Sequence, residues 1–180
     1  MAGEAERGRA RRGRKRAPYD VFWAAPETRA VWSELPERAL EAIAHRDAER
    51  LELERSRVAP QLRAKMTAPV YSVADHFASW ERVVCRMEPG WSSEDFHPIS
   101  AHDNDLDSRD TLEELMRALP AELREGALGR LLARLDTRFR TASTPDPERS
   151  LRPWVRPTKE KPEAELGEWW KRKPVREPWD

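Results

Sequence analysis

Large apolar side chains recur along the middle of this chain at helical spacing, and nowhere at a sustained spacing of two. In "SVADHFASWERVVCRM", Val73, Phe77, Trp80, Val84 and Met87 follow at intervals of four, three, four and three. That spacing lines five large side chains on one face of a helix. Ser72 is placed to cap its N-terminus, with Asp75 in the first turn, and Pro89-Gly90 ends it. A second stripe, Leu123, Ala127, Leu128, Leu131, Leu132, Leu135 and Phe139, predicts one helix over 120–143. Gly126 and Gly129 interrupt it and would allow a close helix crossing. Pro36 opens a third helix, which runs to about residue 59. Its stripe of Leu40, Ile43, Ala44, Leu51 and Val58 is thin, and its polar centre "HRDAER" is expected to face solvent or a partner. Pro26 opens a shorter helix, "ETRAVWSEL". Without period-two runs of β-branched residues, no sheet is assigned. The fold class is therefore all-α, an irregular bundle of four to six helices over residues 18–144.

Both ends depart from this pattern. Residues 1–17 hold no large apolar side chain between Met1 and the end of "RRGRKR", and residues 1–16 carry a net charge of +5. They are expected to form a flexible basic arm. Residues 145–180 contain seven of the fifteen prolines, which disfavours long helices. They also contain Trp154, Trp169, Trp170 and Trp179, half of the eight tryptophans. Mobile linkers are usually poor in aromatics. These rings are therefore expected to dock, on the protein's own helices or on another molecule, and a short helix is expected near Glu163–Lys171.

Composition narrows the function classes little. The chain has 180 residues, which suits one modest domain, and 33 basic residues balance 33 acidic ones. Bulk charge thus gives no general attraction to polyanions. Cys85 is the only cysteine, which rules out an internal disulfide and favours a reducing compartment. No apolar run approaches a membrane span, and no apolar segment follows the basic N-terminus. The expected location is the cytoplasm, with no membrane partner.

The stretch "HDNDLDSRDTLEE" invites a chemical reading. Asp103, Asp105, Asp107 and Glu114 match the oxygen-bearing positions of a calcium loop. Against a metal, Ser108 stands where glycine makes the sharp turn, Asp110 stands where an aliphatic residue is usual, and Pro98 lies where the entering helix belongs. "DTLE" at 110–113 instead reads as a capping box, with Asp110 starting a helix that continues into "LMRAL". His97 and His102 lie nearby but lack the spacing of a zinc motif. No metal and no cofactor is assigned. Residues 92–110 carry a net charge of −5, complementary to the arm, which suggests a salt-sensitive contact between the two.

Two short likenesses point to nucleic acid. Arg12-Gly13-Arg14 resembles the core of minor-groove hooks, over three residues. "LPAELREGALGRLL" resembles a helix of bacterial sigma-factor region four, but "TASTPDPERS" replaces the recognition helix that should follow. The leading expectation is a non-enzymatic adaptor or regulatory protein. It would bind an unidentified protein through an exposed helix or through its tail, with Trp154, Trp169, Trp170 and Trp179 as anchors and Arg172 and Lys173 at the rim. The alternative is a small nucleic-acid-associated protein using Arg11, Arg12, Arg14, Lys15 and Arg16. Neither Cys85 nor any histidine forms a recognisable nucleophile–base pair in the sequence, so no enzyme is expected.

Overall fold

The computed structural model describes residues 21–91, 96–148 and 166–179. Among these, five helices have eight residues or more: α1 (Pro26–Ser33), α2 (Glu37–Ser56), α4 (Val73–Met87), α5 (Ile99–Ala118) and α7 (Ala127–Ala142). Two single turns, α3 (Pro60–Arg63) and α6 (Ala121–Arg124), lie between them. The fold is an all-α bundle, as the apolar periodicity predicts.

Helix α4 is its axis and packs against α5, α7 and α2. Its start is fixed as expected. Asp75 N–H donates to Ser72 Oγ (3.1 Å) and Ser72 N–H to Asp75 Oδ2 (2.9 Å), a reciprocal capping box. The predicted stripe is buried, and so are Ala74, Ala78, Glu81 and Val83, so α4 is enclosed on more than one side. Trp80 packs on Phe139 of α7 at 4.7 Å between ring centroids, and Phe77 meets Trp32 of α1 edge-on at 5.4 Å. Gly90, at φ 64°, makes the left-handed turn that ends the helix and lets Trp91 return to the core.

Three expectations change. Helix α5 does not begin at Asp110. It begins eleven positions earlier, at Ile99, with Pro98 as its N-cap. The reason is a buried stripe of His102, Leu106, Arg109, Leu112 and Leu115, at intervals of four, three, three and three, which the intervening carboxylates disguise in the sequence. The helix expected over 120–143 is broken at Gly126, the N-cap of α7. A Cβ on Gly129 would lie 1.6 Å from the Arg124 carbonyl oxygen, so glycine here lets α6 fold tightly onto the start of α7. Finally, a two-stranded sheet does exist. β1 (Ser143–Pro145) pairs antiparallel with β2 (Arg172–Pro174), in the register Ser143↔Pro174, Thr144↔Lys173, Pro145↔Arg172.

That sheet belongs to a C-terminal strap, residues 166–179, which begins with a 3-10 turn (Glu168–Lys171). Of the short helix expected near Glu163–Lys171, the described residues show this four-residue 3-10 turn; residues 163–165 lie outside them. Trp169, only 5% exposed, enters the same apolar core as α4 and α7. Of the two destinations open to the tail's rings, Trp169 takes the protein's own helices: a tryptophan on a polar, proline-rich segment buries enough area to anchor that segment.

Candidate functional site

The strap uses up most of the side chains that sequence reasoning offers to a partner. Arg109 of α5 grips Asp136 of α7 through two parallel bonds, Nε to Oδ1 at 2.7 Å and Nη2 to Oδ2 at 2.6 Å. Trp80 Nε1 donates to the same Oδ1 at 3.0 Å, which completes a buried polar knot. The Arg109 guanidinium lies 4.1 Å from the Trp169 ring centroid, so the strap's main anchor covers a cation already neutralised by Asp136. Trp170 Nε1 donates to Asp110 Oδ2 at 3.0 Å. Arg172 Nε donates to Ser143 Oγ, and its Nη2 to the carbonyls of Arg140 and Ser143, each at 2.8 Å. Lys173 pairs with Glu177 at 2.5 Å, and Trp179 Nε1 donates to Glu177 Oε2 at 3.1 Å. Trp169 is therefore a core side chain and not an exposed anchor. Trp170, Arg172, Lys173 and Trp179 all have partners inside the chain. Trp154 lies outside the described residues, as do Arg11, Arg12, Arg14, Lys15 and Arg16 of the basic arm.

The acidic stretch is corrected in the same way. Asp103, Asp105 and Asp107 sit on continuous helix, where successive side chains are turned by about 100° and cannot converge as a calcium loop requires. Asp105 accepts from Ser79 Oγ at 3.0 Å and pairs with His97 Nε2 at 3.0 Å. Asp107 is exposed, and Glu114 lies nearly two turns further along. Among the described residues no group of three or more His, Cys, Asp or Glu side chains is placed to hold a metal. Asp110, expected as a cap, is buried in mid-helix and accepts from the strap instead. Cys85 receives a bond from Arg138 Nη2 at 3.3 Å, while burial pushes its thiol up from the ordinary value.

A different surface is less engaged among the described residues, Tyr71 meeting the His76 ring at 5.7 Å between centroids. Helix α2 buries only Ala39 and Ile43, both in its first two turns. Its second half runs out to α3 and the segment that returns to α4. We refer to residues 53–71 as the α2–α3 corner. Leu53 (52% exposed), Leu62 (52%), Val70 (67%) and Tyr71 (55%) all lie there. They are four of the seven exposed large apolar side chains among the described residues, which decides where an apolar contact could form. The corner's backbone is held. Arg55 donates to the Met66 carbonyl, Arg63 Nε to the Val58 carbonyl at 3.0 Å, and Val70 N–H to Glu54 Oε2 at 2.9 Å. At its root, Val73 N–H donates to Asp47 Oδ1 at 2.9 Å, and Arg50 Nη1 meets His76 Nε2 at 2.8 Å. Since Arg50 can only donate, His76 accepts at Nε2 and is neutral. Burial lowers His76 to about 4 and raises Asp47 to about 6. Sequence reasoning found the polar centre of α2 but not this corner. The signal available was four large apolar residues scattered without helical period, beside Pro60 and Pro69.

Among the described residues no helix is long and apolar enough to cross a membrane. No family model, curated protein or solved structure matches this chain.

Proposed function

We propose that this is a non-enzymatic interaction protein that docks a protein partner through the α2–α3 corner. One observation carries the reading. Leu53, Leu62, Val70 and Tyr71 stay outside a core that recruits even the polar strap, on backbone pinned by Arg55, Arg63 and Glu54. An ordered apolar surface of this kind loses little conformational entropy on binding. The non-enzymatic part is supported by the structural use of the reactive groups. His76 and His102 are buried and neutral, and Cys85 is held towards its thiol form.

The test is capture of binding partners by four versions of the full chain: wild type, Leu53→Asp/Leu62→Asp, Trp170→Ala and a deletion of residues 1–16. A partner lost with the corner variant and kept with the other two supports the proposal. A partner lost only on deleting the arm, in a salt-dependent way, points to the polyanion alternative. Full retention by the corner variant would refute the assignment. Both corner side chains are solvent-exposed, so the variant should fold with wild-type helicity, which circular dichroism checks.

A further inference from the structure

The far end of the strap closes over a buried histidine of α5. His102 of α5 is fully buried, and neither ring nitrogen has a hydrogen-bond partner among the described residues. Trp179 covers it at 5.2 Å between ring centroids, and His97 stands edge-on to it at 6.5 Å. His97 in turn stacks on Trp91 at 4.7 Å, and its N–H donates to the Pro178 carbonyl at 3.2 Å. We propose that the strap end, Val175–Trp179, is an acid-released latch. It stays shut while His102 is neutral and peels away when the ring takes up a proton.

The physical reason is a charge without a partner. A protonated His102 would be a cation sealed from water, with no hydrogen-bond acceptor for either ring nitrogen among the described residues, a costly state. Burial therefore holds its proton affinity down, to about 4; Asp105 on the next turn acts the other way, and His97 adds to the lowering. The remaining charges nearby are committed. Lys173 and Glu177 of the strap pair with each other, His97 pairs with Asp105, and Arg86 of α4 lies against the Trp91 ring. Water reaches His102 most cheaply by displacing Val175–Trp179, because among the described residues this segment keeps two backbone bonds to the bundle, Val175 N–H to the Ala142 carbonyl at 3.5 Å and the Pro178 carbonyl to His97 N–H at 3.2 Å. The rest of the strap has separate holds in Trp169, Trp170 and the β1–β2 pair.

Two backbone amides read the two halves of the strap independently. The His97 amide is protected by the Pro178 carbonyl, and the Asp146 amide by the Lys171 carbonyl at 2.9 Å. Hydrogen exchange by NMR on the full chain, corrected for intrinsic rates, should show His97 protection falling by up to about tenfold per pH unit below about 6.5. Asp146 should stay protected. His102→Leu should remove the pH dependence at His97, and His76→Gln should leave it intact. Trp179→Ala, which removes the ring over His102, should expose the His97 amide at every pH. The proposal is overturned if both amides lose protection together, if His102→Leu keeps the wild-type response, if His76→Gln abolishes it, or if Trp179→Ala leaves His97 protected. Should His102→Leu fail to fold, the Trp179→Ala result decides.

Discussion

The strap and the α2–α3 corner invert what hydrophobic patterning suggests of them. The strap is charged and proline-rich, yet it is stitched into the bundle. The corner continues a long regular helix, yet it shows four large apolar side chains to solvent. What separates them is the presence of a receiving site. Arg109, already neutralised by Asp136, offers a flat cation for Trp169, and Asp110 offers an acceptor for Trp170. Among the described residues no such seat meets Leu53 or Leu62. Burying one large ring against a prepared site outweighs the average polarity of the segment that carries it.

The sharpest way to break this contrast is to remove the seat. Asp136→Ala leaves the buried Arg109 charged with only the longer Glu113 contact at 3.6 Å, and should destabilise the fold by about 3 kcal/mol in urea unfolding. A change under 1 kcal/mol would mean that the knot does not hold the strap. Trp169→Ala should cost about 3 kcal/mol and raise amide exchange through residues 166–179, while α4 stays protected.

Acid separates the two regions further. His102 and His76 have folded-state affinities below the unfolded value of 6.5, so the unfolded chain takes up protons first. Their contribution is fully present above about pH 6.5 and is lost as pH falls towards about 4. His102 alone should lower stability by about 1.4 kcal/mol per pH unit in that window. Asp47, raised from 3.8 to about 6, works in the opposite direction: the native state keeps its proton longer, which favours folding as pH falls below about 6. Its effect is smaller because it is partly solvated. Chemical unfolding at pH 7.0, 5.5 and 4.5 measures the balance, and His102→Leu should flatten it.

The smallest effects should lie outside the core. Ser72→Ala should cost about 1 kcal/mol through the lost cap of α4. Leu62→Ser should shift stability by no more than about 0.5 kcal/mol, since its side chain has little burial to lose. A cost above 2 kcal/mol at Leu62 would show that the corner is part of the core.

The sequence made these two regions legible to different degrees. Helix α4 could be read almost completely, because its stripe and its Ser72–Asp75 cap are both local signals. The start of α5 could not. Its buried face includes His102, Arg109 and Asp110, polar residues made tolerable in the interior by Trp170, Asp136 and the strap, all distant in sequence. The same carboxylates match a calcium loop only in part, and read locally they place a cap at Asp110 where the structure has mid-helix. That Trp169 and Trp170 dock is legible from aromatics on a proline-rich segment, but the seat of Trp169 depends on a bidentate Arg109–Asp136 pair that no local pattern announces. The corner escaped notice because exposure is set by what fails to pack on a residue.

The most direct test follows amide exchange by mass spectrometry on the full chain at neutral pH, comparing peptides from residues 166–179 with peptides from residues 57–71. The strap should be protected to the same order as α7, and the corner should exchange faster than either. A strap that exchanges at the rate of an unstructured peptide, or a corner as protected as α4, would contradict the inversion on which both the docking surface and the latch depend.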